Sequence, residues 1–176
     1  MKYLAIDYGE KRSGLALTDS AGKGAFPRHV HVMAGKKEFV RAIAELAKTE
    51  KITALVLGLP LRLNGEKGES AERVIRVAGS FFRALALPVY LMPETLSSFA
   101  AEERLREAGF KGNRLRLALD GASAVLILES FLNLPEERRA SLLFSEQAVS
   151  GSLFQRNSGS TGLSPTRSKN PLPGEG

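Results

Sequence analysis

Three acidic residues stand where a carboxylate is hard to explain by solubility alone. Of the 19 acidic residues in the 176-residue chain only three are aspartates, Asp7, Asp19 and Asp120, and two of these lie inside or against apolar runs. An unpaired carboxylate in such a place is costly, so a chain that keeps one there has a use for it. Asp7 closes the run Ala5-Ile6-Asp7-Tyr8-Gly9, where an acid at a strand end with a glycine two residues on can hold a cation while bare backbone approaches a phosphate. Glu94 follows Val89–Met92 and precedes Thr95, Ser97 and Ser98, candidate caps for a helix. Asp120 stands between Leu115–Leu119 and Ala122–Leu128, with Gly121 beside it. Each has an ordinary reading when taken singly: a turn-starting aspartate, a solvated loop glutamate and a helix N-cap. Three carboxylates together suit a hard cation with oxygen ligands, Mg2+ or Mn2+, and two such ions about 4 Å apart can activate water and stabilise the leaving oxygen of a phosphodiester.

Those acids meet only if the elements carrying them converge. Lys2–Tyr8 and Arg12–Thr18 read as strands joined by the short Gly9–Lys11 link, and Phe26–Met33 as a third strand after the turn chemistry of residues 19–24. The period then changes. Phe39, Ile43, Leu46 and Ala47 share one helical face, opposite Lys37, Arg41, Glu45 and Lys48. Ile52–Leu57 is a continuous apolar strand of the kind buried on both sides. A loop, Gly58–Glu69, leads to a helix from about Ser70 to Leu85, then to a strand at Pro88–Met92 and to helices at about Ser97–Ala108 and Asp120–Leu132. This order predicts an α/β domain with a mixed five-stranded sheet, three antiparallel strands then two parallel, flanked by helices. Ligands of such sheets bind beyond the carboxyl ends of the strands, which places Asp7, the Gly58-Leu59-Pro60 turn and Glu94 on one rim. The folded unit is expected to span residues 1–139. In the remainder, 140–176, a flexible tail is expected, since 15 of the 32 residues from Ser145 onward are Gly, Ser or Pro.

Composition narrows the chemistry further. The chain has no cysteine and only two histidines, which excludes a disulfide scaffold, a thiolate zinc site and a thiol nucleophile. His29 and His31 share one face of a predicted strand, but no third ligand lies nearby to make a metal site. No apolar run is long enough to cross a bilayer and Asp7 interrupts any export signal, so a cytoplasmic protein is expected, with no membrane partner. The net charge of +6 suits a polyanion, RNA or DNA. Lys11 and Arg12 in the hairpin, beside the bare backbone of Gly9, and Arg62 and Lys67 in the loop after the fourth strand are candidate contacts to a sugar–phosphate backbone. Taken singly, each is an ordinary surface charge.

Four blocks in order resemble the YqgF/RuvX family: residues 5–16, with the Asp-x-Gly-x-x-Arg-x-Gly opening; Gly58-Leu59-Pro60 followed by Asn64-Gly65 and Gly68; Glu94-Thr95-Leu96-Ser97-Ser98 with Ala101-Glu102; and Asp120-Gly121-Ala122-Ser123-Ala124 with Ile127-Leu128. The resemblance covers about residues 2–139. It implies an RNase H-like fold and a divalent-metal nuclease site on Asp7, Glu94 and Asp120, with pre-16S rRNA end maturation as the role. The family pattern has Asp-Glu-Arg where this chain has Pro93-Glu94-Thr95, which points to the glutamate, rather than the acid before it, as the ligand. The expected function is therefore a Mg2+- or Mn2+-dependent hydrolase of phosphodiester bonds, monomeric or homodimeric. A protein that binds or resolves Holliday junctions in recombination and repair, with little general turnover, is the alternative. An ATPase of the actin-like or sugar-kinase kind needs a second domain and a second phosphate loop, which 176 residues do not supply.

Overall fold

Alternation along the first two strands divides the protein into two layers of core. A computed structural model describes residues 1–28, 31–32, 35–94 and 112–147. Strands β1 (Tyr3–Tyr8) and β2 (Arg12–Thr18) form an antiparallel hairpin in which Leu4 pairs with Leu17 and Asp7 with Gly14. A Cβ on Gly9 would stand 2.4 Å from the Arg12 carbonyl oxygen, so the hairpin needs a bare backbone at this point. Strands β3 (Ala25–Pro27) and β4 (His31–Val32) both pair antiparallel with β2. The expected third strand, Phe26–Met33, is thus two short pieces along one edge. Helix α1 (Lys36–Thr49) then leads to β5 (Ala54–Pro60), and helix α2 (Glu69–Leu85) leads to β6 (Val89–Glu94). Both β1–β5 and β5–β6 are parallel, and the sheet order is β3-β2-β1-β5-β6 with β4 beside β2. Three antiparallel strands followed by two parallel ones is the RNase H-like arrangement implied by the resemblance.

The two sheet faces differ in side-chain size. On one face Leu4, Ile6, Leu15, Leu17, Leu55 and Leu57 pack against Phe39 and Ile43 of α1 and Val74, Val77 and Phe81 of α2. The other face presents Ala5, Ala16, Ala54 and Val56, and on it lies helix α3 (Gly112–Leu132) through Ala124, Ile127, Leu128 and Phe131. Small sheet residues there let the helix approach closely while its own large side chains fill the gap. Leu128 and Phe131 are wholly buried, each contributing roughly 2–3 kcal/mol of apolar burial.

Helix α3 corrects one expectation. It begins at Gly112, so Asp120 lies inside it and does not cap it. The stretch Leu115–Leu119 is the helix's own earlier turns, because leucine and alanine are strong helix formers and nothing before Asp120 breaks the period. The helix expected at Ser97–Ala108 falls outside the described residues, as does the tail from residue 148 onward.

Ordered packing continues past residue 139. After a short helix α4 (Glu136–Ala140), the Leu91 amide donates to the Leu142 carbonyl at 2.9 Å and the Phe144 amide to Val89 at 2.7 Å. The chain therefore lies along β6 and satisfies part of that strand's free edge. Phe144 is buried against α2, with its ring 5.9 Å from that of Phe82, and Arg83 forms an ion pair with Glu146. No helix among the described residues is long and apolar enough to cross a membrane. Replacing Phe144 by Ala is expected to destabilise the full chain by about 3 kcal/mol. Urea unfolding checks this, and an unchanged midpoint would mean that the segment merely rests on the surface.

Candidate active site

The period of two that builds the α3-facing layer also delivers the acids. Along β1 the residues on this face are Tyr3, Ala5 and then Asp7; along β6 they are Tyr90, Met92 and then Glu94. Both acids therefore come last in a series of core residues, at the carboxyl ends of two strands separated only by β5. By the same alternation Arg12 shares this face with Gly14 and Ala16, and Gly14 is the direct partner of Asp7.

Gly58 of β5 makes room between them. It is paired with Met92, and a Cβ placed on it would lie 1.5 Å from Glu94 Oε1 and 2.7 Å from Ile127 Cδ1. Any side chain at position 58 would therefore occupy the space of the Glu94 carboxylate, with Ile127 of α3 blocking the other way out. Composition could have exposed this position, since a glycine ending an otherwise unbroken apolar strand often marks close approach of another group. The expected Gly58–Glu69 loop therefore starts later, since Gly58 to Pro60 pair with β6 as part of β5.

This seat is half-buried and has a like charge beside it. Burial pushes the Glu94 carboxyl up from its ordinary 4.5 to about 7, and the Asp7 carboxylate adds to the rise. A carboxylate so placed requires a proton or a cation. The donor set at this rim is carboxylate oxygen, which fits Mg2+ or Mn2+ and not a soft metal. Asp7 and Glu94 are brought together; among the described side chains no third acid or histidine joins them. The backbone of position 120 lies two turns before Ile127, in the same helical stripe as Ala124, Ile127 and Phe131. Since Ile127 reaches Gly58 while Phe131 meets Tyr3 and Tyr90, α3 runs antiparallel to these strands, and its earlier turns head towards the rim of the acids.

The predicted basic contacts surround this rim. Lys11 is exposed in the β1–β2 turn, and Arg12 is half-buried at the start of β2. Arg62 and Lys67 are exposed on the loop after β5. That loop closes on itself through an Arg62 amide to Glu66 carbonyl bond of 2.9 Å, and it is anchored by a 3.2 Å bond from the Leu61 amide to the Glu94 carbonyl. Arg62 also lies 3.8 Å from Glu66, an exposed pair of little energetic weight. The shape of Gly9 is fully accounted for by the hairpin.

The family model RuvX: Holliday junction resolvase matches residues 1–134. A protein from Nitratidesulfovibrio vulgaris strain DP4, named as a candidate pre-16S rRNA nuclease, is 45% identical over 140 residues, covering 80% of this chain and 99% of that protein. One of the same name from Oleidesulfovibrio alaskensis strain G20 is 46% identical over 142 residues, covering 81% of this chain and 99% of the relative. Among solved structures, T. thermophilus RuvC in complex with Holliday junction substrate aligns with 14% identity and a TM-score of 0.46, covering 72% of this chain and 91% of that one.

Two outcomes follow from the Glu94 seat. A carboxyl raised from 4.5 to about 7 holds its proton longer in the folded than in the unfolded protein. The contribution of Glu94 to the stability of the metal-free protein is therefore full below pH 4.5, is lost as pH rises from there through 7, and amounts to at most roughly 3 kcal/mol. Denaturant titrations across this range should show the decline in the wild type and its absence in Glu94→Gln. In Gly58→Ala the carboxylate is expelled towards water, so a carboxyl NMR titration should show Glu94 moving back towards 4.5; a value still near 7 would refute the steric account.

Proposed function

Because the chain belongs to the RuvX Holliday junction resolvase family, we propose that it is a divalent-metal-dependent nuclease that hydrolyses phosphodiester bonds, acting in the cytoplasm on the ends of pre-16S rRNA. The observation that carries this reading is the seat of Glu94: a carboxylate held half-buried beside Asp7, in a space opened by Gly58, where a proton or a cation relieves it. The names of the relatives supply the substrate.

Asp7, Glu94 and Asp120 would hold Mg2+ or Mn2+, which when bound supplies positive charge at the phosphodiester oxygens and acidifies an attacking water. Asp7 and Glu94 are fixed at strand ends backed by the core, so their oxygens need little rearrangement to meet developing charge. Glu94 must lose its proton to act as a ligand, which ties cation affinity to pH and releases a proton on binding. Arg12, on the same face as Asp7, and the exposed Lys11 are placed to hold the sugar–phosphate backbone across the rim. Arg62 and Lys67 extend that grip from the loop anchored at Glu94. Such contacts position a strand without reading its sequence, and they weaken as salt rises.

Asp7→Asn keeps the shape of the side chain and removes the charge. Cleavage of single-stranded RNA, single-stranded DNA and a four-way junction, each with Mn2+ or EDTA, is expected to need the metal and to fall at least about 100-fold in the variant, with the unfolding midpoint nearly unchanged. Cleavage retained in Asp7→Asn with normal metal dependence would overturn the mechanism. Binding of a junction with no metal-dependent cleavage of any substrate would favour the binding and resolving alternative.

A further inference from the structure

The opposite end of the sheet holds a second set of functional groups that phosphodiester hydrolysis does not use. At the amino ends of β1 and β6 a cavity of about 310 Å³ opens against the last turn of α3 and against α4. This is the lower end of the size range of small-ligand sites. Three aromatic rings line it: Tyr3 and Tyr90 stand 5.3 and 4.9 Å from the Phe131 ring, which is itself wholly buried. Glu136 and Arg139 of α4 form the polar wall.

The polar wall is short of partners. Arg139 rests its guanidinium 5.8 Å from the centre of the Phe131 ring, and its Nε is buried with no hydrogen-bond acceptor. A buried donor left unpaired is costly and calls for an explanation. Glu136 lies one helical turn away and lines the same cavity, yet it forms no ion pair with Arg139. A carboxylate acceptor and a guanidinium donor therefore face one aromatic-lined space without neutralising each other. The cavity is also backed by rigid structure, because the chain beyond Arg139 is bonded to β6 at Leu91 and Val89.

We propose that this cavity binds an unpaired nucleobase, with guanine the best match. A base is flat enough to lie against the half-buried Tyr90 ring, which the buried Tyr3 and Phe131 rings back, as bases do on aromatic platforms. Guanine alone among the four presents two adjacent donors, its N1–H and N2–H2, to a carboxylate, and two acceptors, O6 and N7, to a guanidinium. Glu136 would take the donors and the outer guanidinium nitrogens of Arg139 the acceptors. Uracil and cytosine expose smaller edges, and adenine offers Glu136 one donor group instead of two. The base comes either from a free nucleotide or from the substrate strand. In the second case the inference rests on the nuclease reading, and it sets a reach: Asp7 lies four residue steps beyond Tyr3 and Glu94 four beyond Tyr90, about 13 Å along the sheet.

The test is binding in EDTA, where no cleavage occurs. Calorimetry with the four nucleoside monophosphates reads the free-nucleotide source; anisotropy of labelled short oligoribonucleotides with and without one guanine reads the strand source. Guanine is expected to bind at least about tenfold more tightly than the other bases in one of these formats, and Glu136→Gln to erase that preference. Arg139 packs on the core, so Tyr90→Leu, which removes the half-buried ring and keeps an apolar side chain, serves as the second variant and should weaken guanine binding several-fold. Equal affinity for all four bases, no binding up to millimolar concentration in either format, or a guanine preference untouched by both variants would overturn the proposal. The measurement is repeated on Asp7→Asn, in which the preference should persist. A guanine preference without metal-dependent cleavage by the wild type would sink the nuclease reading alone, and cleavage without the preference would sink the base pocket alone.

Discussion

A carboxylate half-withdrawn from water beside another carboxylate favours a proton or a cation, and the arrangement of this protein follows from supplying that situation at one point. Glu94 reaches it because β5 has no side chain at Gly58 and because Ile127 closes the far side. Asp7 reaches it because the hairpin turns immediately after it and leaves it last on its face of β1. The energy that keeps the two together comes from the core behind them. Ala5, Val56 and Met92 lie directly before or beside the acids on the same face, and helix α3 holds them down. Local charge is thus held at the expense of fold stability.

The two faces of the sheet divide the labour. The face of large aliphatic residues, Leu4, Ile6, Leu55 and Leu57, is sealed by α1 and α2 and does nothing but pack. The small-residue face lets one long helix lie close, so that α3 can touch the acid seat through Ile127 and the far aromatic cluster through Phe131. A single rigid helix therefore spans both ends of the sheet. Larger residues at Ala5, Ala16 or Ala54 would lift it and loosen both ends at once.

The segment after α4 is a structural part of this arrangement. By pairing with β6 it covers an edge that would otherwise offer unpaired backbone groups, and it carries Phe144 into the core. Its position also fixes α4, whose Glu136 and Arg139 wall the aromatic cavity.

Much of this was legible in the order of residues. Strand alternation and the change to helical period gave the sheet, its strand directions and the rim where Asp7 and Glu94 meet, because a period of two or of 3.6 is a local property written directly in side-chain type. The start of α3 was not legible: aspartate at 120 looks like a cap, and only the continuous helix from Gly112 shows that it is not. The folded reach of residues 141–147 was hidden as well, since a Ser-, Gly- and Pro-rich composition follows at once and a lone Phe144 has no period. The roles of Gly58 against Glu94, and of Tyr3, Tyr90, Phe131 and Arg139 together, belong to tertiary structure alone. They join residues tens of positions apart, and no local pattern records which distant side chain will fill the space that a missing Cβ leaves open.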